Sequence, residues 1–569
     1  MNIRHRIIIV SLCIALIFAV LEIRLWNIQV FNHTPLKKTA LKQFNHSIVI
    51  NPDRGIIYDR NGQELAVDVN ADSVFAVPAE IDNIGRTSAL LASVLQLDET
   101  EVYRKIKGNS KFTWIKRKIA PHESEKLREV NLEGIYFLKE KKRLYPENEL
   151  ACHVLGCVGI DNQGLSGVER SFDDYLRTGY TKEVKIIDAF GRDIITNEEM
   201  SAQKTKNRNV ILTIDKYIQH VAELELAKAF HKTGATRATI IVQEPKTGDI
   251  LAMANLPGFD GNGDIGAVKD RINNPALTDV FEPGSTFKIV TAAAVLEKNL
   301  VKPTDRYFCE NGVWDYAGYP IRDHEKEGWL NFEQVIMKSS NIGIAKIAGK
   351  LGEMGLYEYS RRFGFGNYTG IDLPGESMGI ISKPSEWSGI SMGRISFGQE
   401  VGVTAMQLVG AFSCIANKGM MVQPNIVKCI SDPDGNIIKK TGPVVIRRVV
   451  SERTVELLTK MLIGAVNEGT GVEAQVKGYT VAGKTGTAQK YDKTLKKYCT
   501  KRFTASFAGF LPAYDPRVTI LVILDEPDDL YYGGMVAAPV FSKVAQKIME
   551  YYSIPAGDLK LAKSNNNGI

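Results

Sequence analysis

At the N-terminus polar positions all but vanish. From 7 to 21 only Ser11 interrupts an apolar run, with Arg4 and Arg6 before it and Glu22 and Arg24 at its far edge. A bilayer core needs about 20 helical residues, so the span is expected to reach Trp26 and to occupy residues 7–27. No small-x-small pattern follows the apolar core, which favours an uncleaved anchor over a signal peptide. Residues 1–6 are then a cytoplasmic head, and the bulk of the chain is translocated. Beyond the anchor, residues 45–51 alternate as a strand does, and Asn61-Gly62 between apolar runs predicts a hairpin. Residues 86–150 are charged and helix-rich, and a glycine-rich segment runs from Gly156 to Glu169. Between 45 and 200 no polar groups converge on an apolar helix, so this part is expected to be a spacer or docking module.

The polar stretch 198–208 marks a boundary. After it, strand patterns at 210–214, 239–242 and 250–254 precede helical patterns from 285 to about 415, and strands return at 480–482, 505–510 and 518–525. Strands at both ends with helices between predict one sheet that takes strands from both ends of the domain and carries helices on its faces. The tail, 563–569, is polar enough to be disordered.

Composition narrows this picture only a little. A chain of 569 residues implies two to four domains. Its 71 basic and 65 acidic residues leave a charge of +6, too mild for a nucleic-acid partner. Seven cysteines are scattered, and Cys152 and Cys157 flank His153 without completing a four-ligand set, so no metal is expected. Disulfides are chemically allowed outside the membrane, but spacing does not pair the cysteines.

Chemistry concentrates at Glu282-Pro283-Gly284-Ser285-Thr286-Phe287-Lys288, where a breaker runs into an apolar, alanine-rich helix pattern. Lys288 lies one turn beyond Ser285 on the same face, so hydroxyl and amine can meet. A serine at a helix start beside a lysine is an activatable nucleophile, or else a capping serine followed by a solvated lysine. Ser201-Ala202-Gln203-Lys204 has the same spacing with no apolar helix behind it.

A second lysine admits two readings. Gly478 to Thr485 spells a phosphate loop, and residues 520–526 imitate its companion strand. Such a loop needs a firm strand before it and a helix opening at Lys484-Thr485, yet Gly486-Thr487 follows, and ATP is not normally supplied outside the membrane. The favoured reading makes Lys484-Thr485-Gly486-Thr487 an active-site edge strand. Cation and hydroxyls would hold a carboxylate, and glycine would let a ligand lie against the backbone. Between the two lies Met337-Lys338-Ser339-Ser340-Asn341, where either serine could simply cap the next helix. Lys246-Thr247-Gly248 and Ser564-Asn565-Asn566 are decoys in a hairpin turn and in the tail.

In the order Ser-x-x-Lys, Ser-x-Asn, Lys-Thr-Gly these motifs resemble those of serine penicillin-recognising enzymes. Arg54-Gly55-Ile56-Ile57-Tyr58-Asp59-Arg60-Asn61-Gly62, Gly248 to Met253, Gly398-Gln399-Glu400, Thr404 to Leu408, Tyr532-Gly533-Gly534 and Ala538-Pro539-Val540-Phe541 extend the likeness over nearly the whole chain. The sequence is similar to class B penicillin-binding proteins of the division type. The resemblance implies an α/β (α+β) transpeptidase domain at 205–556, with helices on both faces of a mainly antiparallel sheet. An elongated mixed pedestal at 28–204, one transmembrane helix and a tail at 557–569 complete it.

It also implies roles for single residues. Ser285 would be acylated by a D-alanyl-D-alanine peptide, Lys288 would be its base, and Ser339 would relay a proton to the leaving D-alanine. Asn341 would orient Lys288 and the substrate amide, and Lys484 would lower the pKa of Lys288. Thr485 and Thr487 would hold the terminal carboxylate, and the backbone N–H groups of Ser285 and Thr487 would form the oxyanion hole. Implied partners are peptidoglycan stem peptides with their lipid-linked precursor, β-lactam inhibitors, a polytopic SEDS-type glycosyltransferase and divisome proteins. The chain would be a single-pass protein of the bacterial membrane with its catalytic domain on the outer face, and no cofactor is implied. Ser-Ser-Asn stands where many β-lactamases carry Ser-Asp-Asn. No acidic residue is well placed to activate a deacylating water, Glu376 in Leu373-Pro374-Gly375-Glu376 being a weak candidate, so transfer is favoured over hydrolysis. Ser285-Thr286-Phe287-Lys288 also resembles the motif of one β-lactamase class and of penicillin sensors, so a β-lactamase or sensor-type protein is one alternative, although those lack the long membrane-proximal module. A role chiefly as a divisome scaffold is the non-enzymatic one.

Overall fold

The computed structural model describes residues 3–33, 53–108, 112–177, 186–187, 193–195, 207–492, 497–528 and 532–557. The strand expected at 45–51, most of the boundary stretch at 198–208, the decoys at 201–204 and 564–566 and the tail at 563–569 lie outside the described residues.

The apolar N-terminal run forms α1 (Ile3–Trp26), prolonged by a π-type turn, Asn27–Phe31. It is apolar all round, has no buried residue and is long enough to cross a membrane.

Asn61-Gly62 turns the chain as expected. β1 (Ile57–Tyr58) pairs antiparallel with β2 (Glu64–Ala76), Gly62 has a φ of +85°, and Asp59 Oδ1 accepts from the N–H groups of Asn61 and Gln63. β3 (Thr113–Lys116) and β4 (Ile135–Leu144) both pair with β2, so the stretch 86–150 contains strands as well as helices. The helices Ile84–Leu95, Glu99–Lys107 and Pro121–Val130 bury Leu91, Leu95, Ile106 and Leu127 around that sheet. The glycine-rich segment delivers Glu169 into a buried ion network. Glu169 accepts from Arg54 Nε at 2.5 Å and Arg143 Nε at 2.7 Å, and Arg143 also meets Asp68 at 3.0 Å.

β5 (Asn209–Leu212) lies parallel to β1, with Val210 opposite Ile57. From it α2 (Lys216–Thr233) leads to the expected hairpin of β6 (Arg237–Gln243) and β7 (Ile250–Leu256). β8 (Val427–Ser431) pairs with the other edge of β5, and β9 (Ile437–Lys440) pairs with β8. Strands from before residue 80 and after residue 200 thus share one seven-stranded sheet.

A second sheet is antiparallel throughout. β10 (Ala482–Asp492), β11 (Lys497–Leu511) and β12 (Val518–Asp525) form a meander that continues onto β6 and β7, in the order β10-β11-β12-β6-β7, with β10 at the edge. β10 begins at the end of the strand expected at 480–482 and runs well past it. Period-two alternation separates two cores. Ile241, Leu521 and Ile523 pack with α3 (Lys288–Glu297), α4 (Phe332–Met337), α5 (Asn341–Leu351), α6 (Ala405–Ala416) and α7 (Glu452–Asn467), while Ile240, Val242, Ile520 and Val522 pack with α2 and α8 (Ala538–Tyr551). Helices therefore cover both faces, as expected. The helical stretch also holds two small strand pairs, Arg306–Phe308 with Trp329–Asn331 and Val313–Tyr316 with Tyr319–Arg322, too short to show a period in the sequence.

Candidate active site

The turn that carries Ser285 is fixed by close backbone packing. Gly284–Phe287 forms a 3-10 turn that runs directly into α3, so Ser285 sits just ahead of the α-helix. Gly284 has a φ of +56°, and its N–H donates to Gly398 O at 3.1 Å. Gly398 must itself lack a side chain, because a β-carbon there would lie 2.3 Å from Gly284 O. Ser285 is half-buried, and its hydroxyl has no hydrogen bond to another described residue.

Lys288, the first residue of α3, is fully buried. Its Nζ donates to Ser339 O at 2.5 Å, Ser339 Oγ at 3.1 Å and Asn341 Oδ1 at 2.8 Å. The amine is thus turned toward the Ser-x-Asn motif, and no hydrogen bond joins it to Ser285. Catalytic contacts of this kind commonly tighten only when substrate arrives. Burial first, and then the positive charge of Lys484, hold the Lys288 ammonium well below the usual lysine range. A lysine whose ammonium is disfavoured in this way is better suited to accept a proton from a neighbouring hydroxyl.

The two serines of the middle motif have different duties. Ser340 caps α5, accepting from Gly343 N–H at 2.9 Å. Ser339, at a left-handed φ of +61°, holds its hydroxyl and carbonyl on Lys288 instead. A non-glycine residue in that region costs about 1–2 kcal/mol.

Lys484, Thr485, Gly486 and Thr487 lie on the edge strand β10, with Lys484 opposite Ala508 and Thr487 opposite Ala505. No helix opens at Lys484, so the phosphate-loop reading falls. Lys484 is 1 % exposed, and burial lowers its amine to about 7. Among the described residues only long contacts support the amine, to Thr470 Oγ1 at 3.4 Å, Thr485 Oγ1 at 3.3 Å and Thr485 O at 3.5 Å. Glycine is required at 486, where a β-carbon would lie 2.3 Å from Ser506 Oγ and 2.9 Å from Pro283 O. The strand can therefore approach the Ser285 turn closely. The Thr485 hydroxyl pairs with Thr470 at 2.6 Å, and Thr487 Oγ1 accepts from Gly533 N–H at 3.1 Å. Three separate parts of the chain thus meet here: the Ser285 turn packs against β10, and Lys288 bonds to Ser339 and Asn341.

Sequence reasoning missed Asp323. Its carboxylate accepts from Ser340 Oγ and Asn341 N–H, each at 2.5 Å, and from Ile342 N–H at 3.0 Å, which anchors the start of α5. Nothing in Arg322-Asp323-His324 announces this. Thr470 was missed too, although its place between Gly469 and Gly471 marks a tight turn. Glu282, noted only as part of a motif, accepts from Glu400 N–H and Tyr498 Oη, each at 3.0 Å, and burial pushes its carboxyl up to about 7.

Other candidates have structural duties. Glu376 closes its own loop, accepting from Thr369 N–H at 2.6 Å, from the Thr369 hydroxyl and from Gly370 N–H. Lys246-Thr247-Gly248 is a hairpin turn with Lys246 bonded to Asp515. Cys152 Sγ lies 3.3 Å from His153 Nδ1, and Cys157 contacts Ser166.

Known proteins resemble the chain over most of its length. Residues 238–546 match the penicillin-binding protein transpeptidase domain, and residues 49–212 match the penicillin-binding protein dimerisation domain. Stage V sporulation protein D of Bacillus subtilis is 35% identical over 553 residues, covering 95% of this chain and 85% of its own. Peptidoglycan D,D-transpeptidase FtsI of Escherichia coli is 32% identical over 569 residues, covering 97% and 93%. Among solved structures, penicillin-binding protein 3 of Mycobacterium tuberculosis complexed with aztreonam matches with a TM-score of 0.71 at 30% identity, over 89% of this chain and 98% of that one.

Proposed function

We propose, for a chain that belongs to the class B penicillin-binding proteins, that it is a serine peptidoglycan D,D-transpeptidase that cross-links stem peptides at the division septum. The observation that carries the assignment of roles is the buried Lys288 amine, held by Ser339 and Asn341 beside a second buried lysine and one turn from Ser285. Ser285 Oγ attacks the carbonyl of the terminal D-alanyl-D-alanine bond as its proton passes to Lys288. Donors on the Ser285 turn and on β10 stabilise the oxyanion. The C–N bond breaks, and D-alanine leaves with a proton relayed through Ser339. The ester is then attacked by an amine of a neighbouring stem peptide, which forms the cross-link and frees the hydroxyl. Thr485 and Thr487 are the carboxylate contacts on this reading, and they exchange present partners for substrate.

The remaining assignments rest on the family's organisation. Residues 28–204 form the pedestal and 205–556 the catalytic domain. Residues 7–27 anchor the chain, with the catalytic part on the outer face, and a polytopic glycosyltransferase supplies the glycan. Fluorescent-penicillin labelling of the full chain tests the catalytic assignment. Wild type is expected to label and Ser285→Ala to remain dark at unchanged melting temperature. A labelled Ser285→Ala variant refutes the role of Ser285.

A further inference from the structure

Residues 437–448 run as one outer strand along a margin of the fold. β9 forms the edge of the seven-stranded sheet and pairs only with β8. Thr441 N–H then donates to Lys428 O at 3.0 Å, and Val444 O accepts from Gln423 N–H at 2.9 Å. Val445–Arg448 completes the run by pairing antiparallel with Met420–Val422. One side of this outer strand is therefore bonded to residues 420–431. Among the described residues no strand pairs with its other side, where the backbone groups stay open.

The side chains along it are not those of an edge left to water. Ile437, Ile438, Val444, Val445 and Ile446 are each 42–60 % exposed. Ile437 and Ile438 are neighbours, so aliphatic groups project from both faces of β9. Lys439, Lys440, Arg447 and Arg448 are exposed beside them, and no acid occurs between Asp434 and Glu452. Lys439, Lys440 and Arg447 form no ion pair with a described residue, and Arg448 reaches Glu452 only at 4.0 Å. Lysines can blunt an edge, but so long an aliphatic run remains a template for pairing.

Three kinds of occupant compete for it. A lipid surface would take up the aliphatic groups and the cations, yet it would leave the open backbone groups unbonded. A second copy would supply backbone partners, but an edge-to-edge pair gathers two sets of cations with no acid between them. A strand that alternates acidic and aliphatic residues satisfies backbone, side chains and charge together.

We propose that the 437–448 edge is a docking site for an acidic β-strand of a partner protein, which extends the seven-stranded sheet by one strand.

The test uses the full chain in nanodiscs of neutral phosphatidylcholine and a fluorescent peptide, matched in length to 437–448, that alternates valine and glutamate. One control peptide has lysine in place of glutamate. The other is the acidic peptide N-methylated at every residue, which keeps the charge but cannot donate to a sheet. Anisotropy is expected to show the acidic peptide binding at least about tenfold tighter than the lysine peptide, and N-methylation abolishing that binding. In Lys439→Glu combined with Lys440→Glu the preference is expected to collapse toward one at unchanged melting temperature. Equal binding of the acidic and lysine peptides, or full binding of the methylated peptide, overturns the strand site. So does a wild type that binds phosphatidylglycerol vesicles but no peptide, which makes the surface a lipid contact. A wild-type dimer in sedimentation velocity that Ile438→Lys abolishes overturns it too, since the edge then joins two copies of this chain.

Discussion

Lys484→Met should make the protein more stable and less active, and the size of the gain can be worked out. Lys484 is 1 % exposed, and burial takes its amine from 10.5 to about 7. At about 1.4 kcal/mol per pH unit, that fall is worth about 5 kcal/mol of folding free energy. The sign follows from the protons bound. Between 7 and 10.5 the unfolded lysine holds a proton that the folded one has released, so stability rises with pH across this window. The penalty is complete below pH 7 and gone near 10.5. Methionine has a similar volume and no charge, and the contacts it forfeits, at 3.3 to 3.5 Å, are too long to matter much. Lys484→Met is therefore expected to gain about 5 kcal/mol at pH 6, shrinking by about 1.4 kcal/mol per unit above pH 7. Urea unfolding of the full chain at pH 6, 7, 8.5 and 10 measures this. The same variant frees Lys288 from a neighbouring cation, so Lys288 keeps its proton to higher pH, and the rising limb of penicillin acylation moves upward. A variant no more stable than wild type at pH 6, or one whose gain is the same at every pH, refutes the reasoning.

Two further predictions concern residues outside the three motifs. Asp323→Ala removes the anchor of α5, which should cost about 1–2 kcal/mol in urea unfolding and slow penicillin acylation at least about tenfold as Asn341 loses its position. Unchanged acylation would show that Asp323 does not position the site. Glu169→Ala takes the shared carboxylate from Arg54 and Arg143, leaving each a single acid, Asp173 and Asp68, and should cost about 3 kcal/mol, while folded protein still labels with penicillin at the wild-type rate. A stability loss under about 1 kcal/mol would mean that Asp173 and Asp68 suffice for the two guanidiniums.

Much of the catalytic half was legible because its signals are local. β12 matches the strand read at 518–525 because an apolar run with sharp ends has one register. Lys484 could be placed on a strand since Gly486-Thr487 follows it where a helix would have to open. What stayed hidden depends on contacts between distant residues. Ser339 and Ser340 look alike in the sequence, and only the left-handed backbone at Ser339 sends one hydroxyl to Lys288 and the other to a helix end. Asp323 meets that helix through two strand pairs too short to read. β4 was read as part of a helix-rich stretch because charges dominate Lys139 to Arg143, and the partners that bury Arg143, Glu169 and Asp68, lie elsewhere in the chain.

The seven-stranded sheet sets a schedule for folding. Its strand at Ile57–Tyr58 is synthesised early, but its neighbour Asn209–Leu212 follows some 150 residues later, and Val427–Ser431 only after most of the catalytic half exists. Until Asn209–Leu212 is made the short early strand lacks its second neighbour, and Asn209–Leu212 in turn waits for Val427–Ser431. Loops of that length close slowly, and an unpaired edge invites wrong pairings. The N-terminal part of this sheet, made first, therefore closes only when Asn209–Leu212 arrives, and the second sheet waits longer still, because Arg237–Gln243 must hold an open edge until Val518–Asp525 is made about 280 residues later.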